Sequence, residues 1–294
     1  MTAQIWIDKT RDLLLGGTVE ALNRINVGLD ATESSVSLEF DAGPVVVGSL
    51  MEIGTELMYV TSVAGTTIGV MRGYGGSTGA THASGDIVRS NPQYPAHMVL
   101  DALNDDLADL SSPRNGLYEV ATKTFTADAT LDGYDLAADV LGVHQVTFTD
   151  KASSLSEPQV RRFTLRRNRD TGDFASGVGL ILFDTPTPGQ TVRVEYTKGF
   201  TSLTTTASTL ASTGLHSEAY DLPAMGAALA IMSFKPIARE TITHQAPMRR
   251  GEEVPSGAIS ASMRDLRFRR QERINAEAAR LQQLYPRQWH RSGR

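Results

Sequence analysis

Apolar and polar positions along this chain change period four times. Residues 3–15 place Ile5, Ile7, Leu13, Leu14 and Leu15 at helical steps, and Gly16-Gly17 follows, which predicts a short helix with a glycine stop. From about 18 to 90 the period falls to two. "SSVSLEF" alternates Val36, Leu38 and Phe40, and "ELMYVTSV" and "TTIGVMRG" flank the short connection "AGT", a hairpin pattern. "GDIV" (85–88) reads as the last strand of this small β-barrel or sandwich.

Residues 94–110 return to helical spacing behind Pro95. Met98, Val99, Leu103, Leu107 and Leu110 form one face, and Asp101, Asp105, Asp106 and Asp109 occupy the rest. Strand patterns resume over 117–200 in "LYEVATKTFTA", "HQVTFTD", "RRFTLRRN", "GLILFDT" and "QTVRVEYTKGF". In the third, Phe163 and Leu165 alternate with Thr164 and Arg166, so one face is buried and one wet. Five such strands predict a second β-sandwich. Residues 201–217, rich in serine and threonine, read as a linker or polar surface segment. A helix apolar nearly all round follows over 221–245, with Asp221 as cap, Pro223 in its first turn, and Pro236 as a kink or stop. After the loop "MRRGEEVPSG", a last helix is predicted over 258–285. It carries Ile259, Met263, Leu266, Ile274, Ala278, Leu281 and Tyr285 on one face, and is about 40 Å long if unbroken.

The fold class read from this order is α+β: a helical bundle with two inserted all-β units and a long C-terminal helical arm. The segments are an N-terminal helix (1–17), a small β-barrel-like insertion (18–90), a bundle helix (91–113) and a β-sandwich insertion (114–202). A linker with a buried helix (203–250) and a basic arm (251–294) complete it.

Charge sharpens that division. The net charge is −5, yet residues 249–294 hold eleven arginines against five carboxylates, a balance of +6, so the first 248 residues sum to −11. An acidic body with a basic end suggests docking on a partner or contact with nucleic acid. The cluster Arg264, Arg267, Arg269, Arg270 and Arg273 offers planar forks for carboxylates or phosphates, with only Phe268 interleaved. Docking on an acidic protein surface is the favoured use, ahead of a solvated helix face, with direct DNA contact third. There is no cysteine, which excludes disulfides, thiolate metal sites and a cysteine nucleophile. No run reaches the roughly 18–20 apolar residues of a membrane span, and the N-terminus lacks the pattern of a signal peptide.

Candidate chemistry is thin. The glycine-rich stretch "VMRGYGGSTGATHASGDIV" (70–88) lacks the third glycine of a dinucleotide fingerprint and the Gly-Lys-Ser/Thr of a phosphate loop, and it leads into a strand. It reads as a long turn whose glycines supply positive φ. "DATLDGYDLAAD" (128–139) matches a calcium loop at Asp128, Thr130, Asp132 and Gly133, but ends in Asp139 and has no flanking helices, so a β-turn is expected. Six dispersed histidines form no metal spacing, and no nucleophile elbow occurs. No catalytic, cofactor-binding or metal residues are assigned.

The run 48–88 resembles a segment that recurs in structural proteins of tailed bacteriophages, through Glu56, Met58, Arg72, Gly73, Tyr74, Gly75, Gly76, His82 and Gly85. It departs from the pattern at Ser77, where threonine is usual. With the helical remainder and the arginine-rich arm, the chain is similar to head-to-tail adaptor (connector, neck) proteins of long-tailed phages. That resemblance implies a virion protein, made in the host cytoplasm, forming a ring beneath the portal, commonly of twelve subunits. Its partners would be the portal, further neck or tail proteins such as a stopper or tail terminator, and genomic DNA passing through the lumen without specific binding. No membrane and no cofactor are implied. The loop residues Arg72 to Gly85 would sit at a subunit or tail-facing contact, and the arm arginines on the portal. The alternative is a tail or tail-tip protein with a glycan-binding β-sandwich, using Tyr118, Tyr134 and Tyr196. Trp6 and Trp289, the two tryptophans, lie near the ends and argue against a tryptophan-lined sugar site.

Overall fold

The structure, a computed structural model, describes residues 1–16, 20–128, 130–131, 133–149, 157–184, 186–233 and 258–286. It is mixed α+β, with four α-helices among the described residues: α1 (Ala3–Leu15), α2 (Ala96–Leu110), α3 (Leu222–Ser233) and α4 (Ala258–Leu284). The expected continuation of the third helix to 245, the loop 248–257, Asp132 and Trp289 lie outside the described residues, as does the side chain of Ile259. The chain divides into two compact units, residues 1–107 with 202–273, and residues 108–201 with 274–294, so it passes between units inside α2, at 201–202 and inside α4.

The first unit holds a six-stranded antiparallel sheet. Its strands are β1 (Ala21–Arg24), β2 (Ser35–Ser37), β3 (Leu50–Ile53), β4 (Glu56–Ala64), β5 (Thr67–Met71) and β6 (Ile87–Ser90), in the order β1-β6-β3-β4-β5-β2. Alternation places Val36, Met51, Ile53, Met58, Val60, Ile68, Val70 and Val88 in one apolar cluster. The two edges meet: Ile25 bridges Leu38, the Asn26 N–H donates to the Ser37 carbonyl (2.8 Å) and the Glu39 N–H to the Arg24 carbonyl (2.8 Å). The alternation does not continue to Phe40, which is 59% exposed. The Asn23 carboxamide accepts from the Phe40 N–H and donates to the Phe40 and Asp41 carbonyls, so the strand's hydrogen bonding ends in a side-chain clamp and the chain turns away.

The helices of this unit pack by their own faces. Pro223 and small residues let α3 bury Ala224, Gly226, Ala227 and Ala228. Trp6 of α1 is fully buried and meets Tyr220 edge-on at 5.5 Å. The 201–217 segment, expected as a linker or polar surface segment, is exposed at most positions yet anchored to this unit. Leu203, Leu210, Thr213 and Leu215 are buried, and the carbonyls of Ser208 and Thr206 accept from Ala3 and Gln4 (2.8 and 3.0 Å). Two of the N–H groups that any helix start leaves open are thereby satisfied. The buried stripe of α2 also differs from the expected one. Met98 is 48% exposed, whereas Asp106 joins Val99, Leu103, Leu107 and Leu110 inside.

The second unit contains two three-stranded sheets. One has the order β7-β12-β9, from β7 (Glu119–Thr126), β9 (Val140–Phe148) and β12 (Thr191–Lys198). The other is β10-β11-β8, from β8 (Gly133–Asp135), β10 (Phe163–Arg166) and β11 (Gly179–Leu182). Both contribute to one cluster, with Val146, Val192 and Val194 from the first and Tyr134, Phe163, Leu180 and Leu182 from the second. The end of α4 adds buried Ile274 and Leu281 to this unit, and Tyr285 meets His144 edge-on at 5.7 Å.

Candidate functional site

The glycine-rich loop is organised around one carboxylate. Glu56 opens β4, is fully buried, and takes both Arg72 Nε (2.6 Å) and Nη2 (2.7 Å) in a bidentate pair. The Gly73 and Ala80 N–H groups donate to it at 3.2 and 3.0 Å, and His82 Nε2 lies 2.9 Å from Oε2. The remaining donors of Arg72 reach the carbonyls of Asp30, Glu33 and Ala80. Burial pushes the Glu56 carboxyl up, but the bonds from Arg72, Ala80, His82 and Gly73 outweigh it and hold the group below its ordinary value. Gly73, Gly75, Gly76 and Gly85 all have positive φ, and a Cβ on Gly75 would press on Leu57 at 3.3 Å. Tyr74 is 38% exposed and packs at 5.3 Å on Tyr59. The donors of this loop are spent on Glu56 and on carbonyls, so its chemistry is that of a braced surface loop.

A second buried glutamate joins helix to sheet. Glu52 of β3 accepts from Arg11 Nη2 of α1 (2.6 Å) and from the Ala96 N–H at the start of α2 (2.5 Å), while Arg11 also reaches the Tyr94 carbonyl. Here burial outweighs Arg11, the Ala96 bond and Arg89, and the carboxyl is raised. Nothing in the periodicity marks Glu52 or Arg11, because the partners lie 41 residues apart.

The arm arginines separate into two groups. Arg270 ion-pairs with Asp106 at 2.5 Å, and Arg273 holds Asp221 through Nε (2.8 Å) and the Glu218 carbonyl through Nη2 (2.7 Å). These two pin α4 to its own unit. Arg264, Arg267 and Arg269 are exposed, with Arg269 paired to Asp265 one turn back at 2.8 Å. A Cβ on Gly226 would overlap the Asp106 carboxylate, so the glycine is what admits the acid beside α3.

The glycan candidates fare differently. Tyr134 and Tyr196 are each 8% exposed, and Tyr134 stacks on Phe125 at 3.8 Å with its hydroxyl accepting from the Asp128 N–H. They are core residues, as is Trp6, and cannot face a sugar; Tyr118 is half-buried. Asp128 caps its own turn through the Thr130 N–H and hydroxyl, which lower its carboxyl below the ordinary range. No cluster of three metal-ligating side chains occurs among the described residues, and no helix there is long and apolar enough to cross a membrane.

No curated protein matches the chain. The family model described as SU10 adaptor protein matches residues 80–281, from just before β6 through α2, all strands of the second unit, and nearly all of α4. The run 48–88 meets that match only over its last residues. Since the match covers well over half of the sequence, the chain belongs to the SU10 adaptor protein family, a family of phage structural adaptors rather than of enzymes.

Proposed function

We propose that the protein is a ring-forming connector, commonly of twelve copies, lying below the portal and joining phage head to tail. Its helices would form the bundle of each subunit, with the small barrel-like sheet and the two-sheet sandwich as insertions. The ring would extend the DNA channel toward a stopper or tail terminator. The loop Arg72–Gly85, braced on Glu56, would present Tyr74 to a neighbouring subunit or tail protein. Family membership supports the adaptor role.

The observation that carries the docking part is the split among the arm arginines. Arg270 and Arg273 fix α4 in place, and Arg264, Arg267 and Arg269 stand exposed on its preceding turns. A helix held at its middle presents those guanidinium groups at low entropic cost to an acidic surface, which we assign to the portal. A modest contact repeated around a closed ring multiplies into a stable joint. The channel contribution follows from the acidic body, which repels DNA phosphates.

The test is portal capture by the triple variant R264E/R267E/R269E. Loss of capture with an unchanged circular dichroism spectrum is expected. Undiminished capture would remove the arm from the docking role. Burial of Tyr134 and Tyr196 leaves the glycan reading with only half-buried Tyr118 of its three stacking candidates.

A further inference from the structure

The acidic body contains a second basic feature that the adaptor reading does not use. Five arginines fall within nine residues around β10: Arg161, Arg162, Arg166, Arg167 and Arg169. All five are exposed. β10 is the edge strand of its sheet, with Phe163 turned into the core and Arg166 turned out opposite Gly179. Two of the five act as struts: Arg162 pairs with Asp184 (3.2 Å), and Arg167 Nη2 donates to the Leu141 carbonyl (2.7 Å). The turn after the strand is set by Asn168 at φ 54° and by the Arg169 N–H on the Gly177 carbonyl (3.0 Å). Arg161, Arg166 and Arg169 make no side-chain hydrogen bond or ion pair among the described residues. The result is a cluster of five exposed guanidinium groups along an edge strand and the turn after it, three of them without side-chain partners among the described residues.

We infer that this arginine cluster binds the phosphate backbone of duplex DNA. Arg162 and Arg166 share a face four residues apart, about 13 Å at roughly 3.3 Å per residue, far enough to reach separate phosphates of one duplex. Guanidinium forks match phosphate oxygens bidentately. Charge dominates the patch, whereas a protein partner would call for an apolar centre. The one aromatic residue among 161–169 is Phe163, which is 8% exposed, so stacked single strands have no platform. Such contact is independent of base sequence and confined to this cluster, while the body around it stays net acidic and repels DNA elsewhere. The choice of DNA among polyanions rests on the adaptor reading; the binding itself does not.

The test is fluorescence anisotropy of the full chain with a labelled duplex of about 30 base pairs, titrated over a range of salt. The wild type is expected to bind with a salt-sensitive affinity. The variant R161Q/R166Q/R169Q should bind more weakly, with a log–log salt slope shallower by about 2 to 3, at roughly 0.9 for each phosphate no longer neutralised. R161K/R166K/R169K should keep most of the slope. Three results would each overturn the inference: no salt-sensitive binding by the wild type, an unchanged slope in the glutamine variant, or a poly-glutamate peptide competing as well as duplex of equal charge. Because the purified chain is measured, its failure is separable from failure of the ring reading, which is decided by position in the particle.

Discussion

Arg270 of α4 reaches Asp106 of α2 at 2.5 Å, with side chains 13% and 7% exposed, across 164 residues of sequence. The pair turns the acid in a buried helical stripe from a liability into the point that fixes the arm. Removing one partner strands the other. Asp106→Ala is expected to cost about 3–5 kcal/mol, the range for breaking a buried ion pair. Urea denaturation read by circular dichroism checks this, and a cost under about 1 kcal/mol would show the pair to be solvated.

Gly226 is coupled to the same acid. Gly226→Ala pushes a methyl group into the Asp106 carboxylate and is expected to destabilise by about 1–3 kcal/mol, as overpacking does. In an Asp106→Ala background that cost should largely vanish. A double-mutant cycle with additive energies would contradict the close approach.

The two buried glutamates should give opposite pH signatures. The folded value of Glu56 lies below the ordinary 4.5, so its contribution is complete above the unfolded value and is lost as pH falls through the folded one. The stability gap between wild type and Glu56→Gln should therefore grow as pH rises out of the acid range. Glu52 lies above 4.5, so its contribution is present below the unfolded value and is lost as pH rises through the folded one. The gap between wild type and Glu52→Gln should shrink over that interval. Denaturation at several pH values reads both, and parallel trends would refute the assignment.

Helix and strand placement is legible where one period runs unbroken. The periodic stretches 3–15 and 258–285 agree with α1 and α4 almost to the residue, and β2, β4 to β7 and β9 to β12 overlap the patterns read as strands, whereas β1 and β3 carry no assigned pattern and β8 lies in the stretch 128–139 expected to be a turn. What stays illegible is decided by distant partners. The burial of Asp106 depends on Arg270 and on the missing side chain of Gly226; the burial of Glu52 depends on Arg11. Phe40 leaves its pattern because Asn23 captures its backbone. Tyr134 and Tyr196 look alike as core or as sugar platforms until packing is known, since an aromatic ring on a strand suits either. At the loop, the glycines are legible as turn-formers, but the role of Glu56 as their common acceptor is not. The likeness to phage structural proteins rests on 48–88 and the likeness to adaptors on the helical remainder and the arginine-rich arm, while the match covers 80–281, so the α2-to-α4 stretch carries the membership.

The loop glycines give a further measurable contrast. Gly75→Ala combines a φ of 62° with pressure on Leu57, whereas Gly142→Ala has an ordinary φ and meets only the Thr197 hydroxyl at 3.5 Å. The first is expected to lower stability by about 1–2 kcal/mol, the left-handed penalty for a residue with a Cβ. The second should change it by less than about 0.5 kcal/mol. Thermal melts of the two variants side by side test the point, and equal shifts would contradict it.

The most direct test of the connector role is an asymmetric cryo-EM reconstruction of the particle carrying this chain, read for position and copy number. A ring of twelve between portal and tail, with the exposed turns of α4 against the portal, is the expected result. A three- or six-fold site at the tail tip, or absence from the particle, would contradict it.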